Sequence, residues 1–86
     1  MLKMTQEQRA AQMQDAADLI RASDHPLAKI CSHLEEKYGA TFRQQTQEGG
    51  KITTLDMLGL TASAWRGQEM AIRNWVVRAQ RLFGID

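Results

Sequence analysis

The chain is 86 residues long, 43% apolar and 24% charged, with eleven basic residues against ten acidic ones and a net charge of +1. That is enough for one domain with a modest core, and the near-neutral balance excludes a globally basic nucleic-acid binder or an acidic mimic of nucleic acid. Cys31 is the single cysteine, which excludes an internal disulfide framework and fits a reducing compartment.

The N-terminal stretch MLKMTQEQRA has no apolar segment after its lysine, unlike a secretory signal. No run approaches the roughly 18 apolar residues of a membrane span. The expectation is a cytoplasmic chain that does not associate with a membrane. Charge is unevenly spread: residues 1–43 carry six of each sign, whereas residues 61–84 carry Arg66, Arg73, Arg78 and Arg81 against Glu69 alone.

The first segment predicts a helix over about 5–22. Thr5 with Gln8 three residues on forms a capping-box pattern, and Ala10, Met13, Ala16, Ala17 and Ile20 recur at helical spacing. A second helix is predicted over about 25–38. Pro26 suits its first turn and Ser23 or Asp24 can cap it. Leu27, Ile30, Cys31, Leu34 and Tyr38 form one continuous stripe, and Gly39 supplies a left-handed stop.

Residues 41–54 break the helical period. Phe42, Gln44 and Thr46 alternate with Arg43, Gln45 and Gln47, and Gly49-Gly50 precede Ile52. This predicts a short β-hairpin or an ordered loop. Residues 54–60 could form one helical turn, and a third helix is predicted over about 62–83. The expected fold is therefore mainly α: a single small helical domain spanning 1–86, with three principal helices.

Soft metal ligands are limited to His25, Cys31 and His33. Cys31-Ser32-His33 has no zinc-site spacing, Cys31 lies on the apolar stripe, and His33 lies off it. No metal or cofactor is expected. No G-x-S-x-G is present, and Gly49-Gly50-Lys51-Ile52-Thr53 lacks the upstream glycine of a phosphate-binding loop. The chain reads as a non-enzyme.

Within TTLDMLGLTASAWR, the residues Leu58, Gly59, Leu60 and Thr61 are similar to the turn of a helix-turn-helix unit. The resemblance covers about twenty residues, 54–74, and implies a DNA-binding transcriptional regulator whose contacts would include Thr61, Ser63, Arg66 and Arg73. Leu55, Trp65 and Gln68 depart from that pattern, because it places a small residue, a β-branched residue and an apolar residue at those positions.

At about 100° per residue, Trp65, Ile72, Val76, Ala79 and Phe83 cluster on one side of the final helix. Ala64, Ala71, Trp75 and Leu82 widen that side, so both tryptophans are expected in the core. The opposite side holds Arg66, Arg73, Arg78, Arg81 and Asn74 around Met70 and Val77. An adaptable apolar centre inside a charged rim has the composition of an interface.

The favoured expectation is thus a protein-binding module (an adaptor, inhibitor or small subunit) that uses Arg66, Met70, Arg73, Val77 and Arg81. A protein partner ranks first. A homo-oligomer using the same face comes next, and nucleic acid is the alternative.

Overall fold

Thr53, Leu55 and Met57 alternate with polar residues up to Leu58-Gly59, and Leu60, Ala62 and Ala64 alternate beyond it. Such period-2 patterning on both sides of a two-residue turn builds a hairpin with one apolar face. The computed structural model, which describes residues 5–22, 24–65 and 67–86, places strands there.

The elements in chain order are α1 (Gln6–Ala22), α2 (Leu27–Tyr38), β1 (Thr41–Gln47), β2 (Gly50–Met57), β3 (Leu60–Ala64) and α3 (Gln68–Phe83). The three strands form one antiparallel sheet in the order β1-β2-β3. The fold is α+β, which corrects the mainly α expectation. The first two helices and the hairpin at 41–54 stand close to their predicted places. The turn of helix at 54–60 is strand, and the final helix starts at Gln68 instead of near 62.

Two backbone features explain that correction. Leu58 and Gly59 both have positive φ, 55° and 78°, the pairing that a tight hairpin turn requires for its twist to match the strands. Gly67 has φ 91° and ψ −167°, a conformation essentially restricted to glycine. It separates the end of the sheet from the first turn of α3, so no helix can run continuously from residue 62.

The helix ends are built largely from the expected residues. Gln8 N–H donates to Thr5 Oγ1 at 3.1 Å and Thr5 N–H to Gln8 Oε1 at 3.0 Å, closing the capping box. Gly39 ends α2 at φ 68°, with its N–H on the Glu35 carbonyl and the Ala40 N–H on that of Leu34. At the start of α2, Pro26 itself occupies the cap position without a side-chain cap, so Asp24 does not take that role. Ser23 lies outside the described residues.

The core lies between α3 and the inner face of β2 and β3. Thr53, Leu55, Met57, Leu60, Ala62 and Ala64 point into it from the sheet, and Ala71, Ile72, Trp75, Val76 and Ala79 from the helix. Met13, Ala16 and Ala17 of α1 and Cys31 and Leu34 of α2 complete it. The Trp75 indole N–H is shared between the Met57 and Leu60 carbonyls, each at 3.2 Å. These are the two residues that flank the Leu58-Gly59 turn, so α3 is fastened across the closed end of that hairpin.

Trp65 departs from the expected helix faces. It sits in the turn after β3, 57% exposed, instead of in the core. Leu82 is also exposed, near the far end of α3.

Urea denaturation should show that Trp75→Ala and Leu34→Ala each destabilise by about 2–5 kcal/mol, through lost burial and the cavities left behind. Gly59→Ala should cost about 1–2 kcal/mol, because alanine must adopt a left-handed conformation with its Cβ 3.6 Å from the Arg9 guanidinium.

Candidate protein-binding cleft

Because α3 turns Trp75 toward the sheet, its flank toward α1 and α2 carries Glu69, Ile72, Arg73, Val76 and Val77. The backbones of the two other helices approach that flank closely at only a few points. The small side chains Ala16 and Ala17 make up most of the buried part of α1, which leaves space between the helices unfilled.

Two adjoining recesses result, of about 180 and 420 Å³, which share Ile20 and Arg73. The smaller is lined by Ile20, Leu27, Ile30, Ile72, Glu69 and Arg73, and the larger by Ile20, Arg21, Arg73, Val76 and Val77. Leu27 remains 38% exposed and Val77 42%. Isolated apolar residues on a surface mean little, but these two border adjoining apolar recesses, Leu27 the smaller and Val77 the larger.

The cleft's polar rim is adjustable. Arg73 Nη2 lies 3.6 Å from Glu69 Oε1, and both side chains are about two-thirds exposed. Arg21 Nη1 lies 3.8 Å from Asp18 Oδ1, with the two side chains 42% and 62% exposed. Pairs of this kind contribute at most about 1 kcal/mol and yield readily to a better partner. Arg21 also donates to the Asp86 backbone carbonyl, and the Asp86 N–H donates to Gln14 Oε1 at 2.7 Å. These bonds tie the segment after α3 to α1.

Val77 links two of the expected binding residues, bordering one recess with Arg73 and a second with Arg81. Arg73 and Val77 line the cleft. Arg81 is exposed beside a different recess, on the β3 side, with Ala62, Ser63, Asn74, Val77 and Arg78. Met70 is half-buried and packs against the core, so it is not the exposed interface centre expected of it. Arg66 lies outside the described residues. Ile20, Leu27 and Ile30, which complete the cleft, were legible only as core stripes of their own helices, because nothing in the sequence shows that the packing of α3 leaves them partly uncovered.

The helix-turn-helix arrangement is also overturned. Thr61 and Ser63 lie on β3 and point to the outer face of the sheet. There Thr61 Oγ1 donates to Asp56 Oδ1 at 2.6 Å, and Ser63 Oγ lies 2.9 Å from Thr54 Oγ1. Arg43 Nη2 meets the same Asp56 at 3.2 Å. Arg73 lies on the cleft flank of α3, so no recognition helix gathers Thr61, Ser63 and Arg73.

Cys31 is buried, as its place on the apolar stripe implied. Desolvation, then the neighbouring Glu35 carboxylate, push its thiol pKa above the ordinary value, and a backbone hydrogen bond opposes them in part. The His25 and His33 rings meet edge to face at 5.8 Å. Among the described residues no three His, Cys, Asp or Glu side chains gather as metal ligands, and no helix is long and apolar enough to cross a membrane.

No protein-family model, curated protein or solved structure matches this chain.

Val77→Asp should change folding stability by no more than about 0.5 kcal/mol, as expected at an exposed site. Met70→Asp should cost about 1–3 kcal/mol, because it sets a carboxylate against apolar neighbours. Thermal or urea melts of the two variants compare them directly.

The Cys31 thiol should react with a disulfide reagent at pH 8 at least about tenfold more slowly in the folded chain than in urea. A raised thiol pKa means that the native state holds its proton more tightly. The associated stability is therefore complete below the ordinary thiol pKa and is lost as pH rises through the folded value.

Proposed function

We propose that this chain is a non-enzymatic protein-binding module that receives an amphipathic helix in the cleft between α1, α2 and α3. The observation that carries this reading is a pair of apolar recesses that adjoin at Ile20 and Arg73, one bordered by the partly exposed Leu27 with Ile30 and Ile72, the other by the partly exposed Val77 with Val76. A groove between helices suits a helical ligand with anchors at i, i+3 or i+4, and i+7. Arg21 and Arg73 at the rim favour acidic residues flanking those anchors, which would speed association and set orientation. Such a module would act as an adaptor, inhibitor or small subunit.

A second reading rests on Trp65. Its exposure on the turn that follows the outer-face positions Thr61 and Ser63 gives the sheet an aromatic platform, and strands as well as helices can read nucleic acid. It ranks lower because Arg43, on that face, is held by Asp56 at 3.2 Å, a closer pair than those of Arg21 at 3.8 Å and Arg73 at 3.6 Å.

The test is selection from a displayed library of amphipathic helical peptides with acidic or basic polar faces. Acidic binders should emerge. Val77→Asp and Leu27→Asp should each weaken them at least about tenfold, equivalent to about 1.4 kcal/mol, while Arg43→Ala leaves affinity unchanged. Binders that ignore both aspartate substitutions would overturn the reading. So would random duplex DNA that binds with a steep salt dependence abolished by Trp65→Ala.

A further inference from the structure

The two edges of the sheet are finished differently. In β1 the pair Gln47↔Gly50 closes the two-residue turn, so it must be a hydrogen-bonded pair. The alternation of antiparallel ladders then makes Gln45↔Ile52, Arg43↔Thr54 and Thr41↔Asp56 the other hydrogen-bonded pairs. The N–H and C=O groups of Phe42, Gln44 and Thr46 are consequently directed away from β2, along the free edge. Among the described residues no hydrogen bond reaches them.

At the other edge, the same argument from the Met57↔Leu60 pair leaves Thr61 and Ser63 facing outward. There Asn74 Nδ2 donates to the Ser63 carbonyl at 2.9 Å, and α3 packs closely against β3. That edge is short and partly satisfied. β1 has seven residues, exposed except for half-buried Phe42, with no proline and with Arg43 as its one charge. It lacks most of the devices that keep edge strands from pairing.

We propose that β1 pairs antiparallel with β1 of a second copy of this chain, about a twofold axis at Gln44, joining the two three-stranded sheets into one. The inference is independent of the cleft. An unpaired strand edge fixes the chemistry of its occupant as another extended backbone, and the side chains of β1 are complementary to themselves in this register. Gln44 faces Gln44 of the second copy, and Phe42 faces Thr46, so every outward backbone group on both edges is paired.

On the outer face Arg43 lies opposite Gln45 and Thr41 opposite Gln47, so no charge directly faces a like charge. Shifting the register to centre on Arg43 would set the two arginines against each other, which is unfavourable. Each Arg43 is in any case held by its own Asp56 at 3.2 Å. The half-buried Phe42 ring gains cover from the second copy.

The experiment is sedimentation equilibrium on the full chain, on Gln44→Lys and Gln44→Glu separately, and on their equimolar mixture, with circular dichroism confirming the fold of each. The wild type should dimerise reversibly below about 1 mM, the range of a weak interface. Each charged variant alone should dimerise about fivefold more weakly or worse, because like charges then face each other at the axis. The mixture should recover or exceed wild-type affinity as a heterodimer of the two variants, with the introduced lysine facing the introduced glutamate. Val77→Asp should leave the dimer unchanged, so the fate of this interface and that of the cleft are read separately. A wild type that stays monomeric overturns the proposal. So does a dimer indifferent to residue 44, a mixture that restores nothing, or a dimer abolished by Val77→Asp.

Discussion

The indole N–H of Trp75, divided between the carbonyls of Met57 and Leu60, sets the geometry on which the remaining structure depends. A buried tryptophan contributes several kcal/mol through its area, but area alone would let α3 slide or rotate on the sheet. The polar end of the ring requires a partner once it is out of water, and the closed end of the β2–β3 hairpin supplies two. That requirement fixes the position of α3 along the sheet and its rotation about its own axis. Ile72 and Ala79 are thereby turned inward, while Arg73 and Val77 are left on the outer flank.

The cleft follows from this arrangement combined with the composition of α1. A helix that buries mainly Ala16 and Ala17 around Met13 comes near its neighbours without filling the space that larger residues would occupy. Ile20 of α1 and Leu27 and Ile30 of α2 then border α3 without closing onto it. The backbone of α3 lies closer to the sheet than the backbones of α1 and α2 lie to α3, although Met13, Ala16, Ala17 and Leu34 are fully buried. Local stability in such a structure is uneven, and binding surfaces tend to lie where it is low. A cleft walled by α1 and α2 can adapt to a ligand without disturbing the unit fastened by Trp75.

Much of this is legible in the sequence, residue by residue. The Thr5–Gln8 box, the Leu27-to-Tyr38 stripe, Gly39 and the burial of Leu34 and Trp75 all follow from local rules that tertiary packing does not override. The β2–β3 hairpin is harder to see, because a turn needing positive φ at both positions is usually marked by Asn or Gly, and here Leu58 occupies the first of them. The alternation of Thr53, Leu55 and Met57 before the turn and of Leu60, Ala62 and Ala64 after it is the signal that reveals it. Gly67, whose conformation divides strand from helix, fits a helical reading of the sequence equally well, and that reading carries Trp65 onto the wrong face. The half-burial of Met70 within α3 depends instead on tertiary packing. Arg73 and Val77 remain candidate contacts because they lie within the part of α3 that is helical. The opposite wall of the cleft cannot be inferred from sequence, since it depends on where three helices stop short of one another.

The shared Trp75 hydrogen bonds make β2, β3 and α3 one cooperative unit, with α1 and α2 as separate walls of the proposed cleft. Native-state amide hydrogen exchange measures this most directly. The slowest amides should be the inward-facing ones of Leu55, Met57, Leu60 and Ala62 together with those of Trp75 to Ala79. They should exchange as one group at the free energy of global unfolding, with α1 and α2 opening at lower cost. If α1 or α2 instead formed the most protected group, or α3 opened without the β2–β3 hairpin, Trp75 would not be the fastening point of the fold.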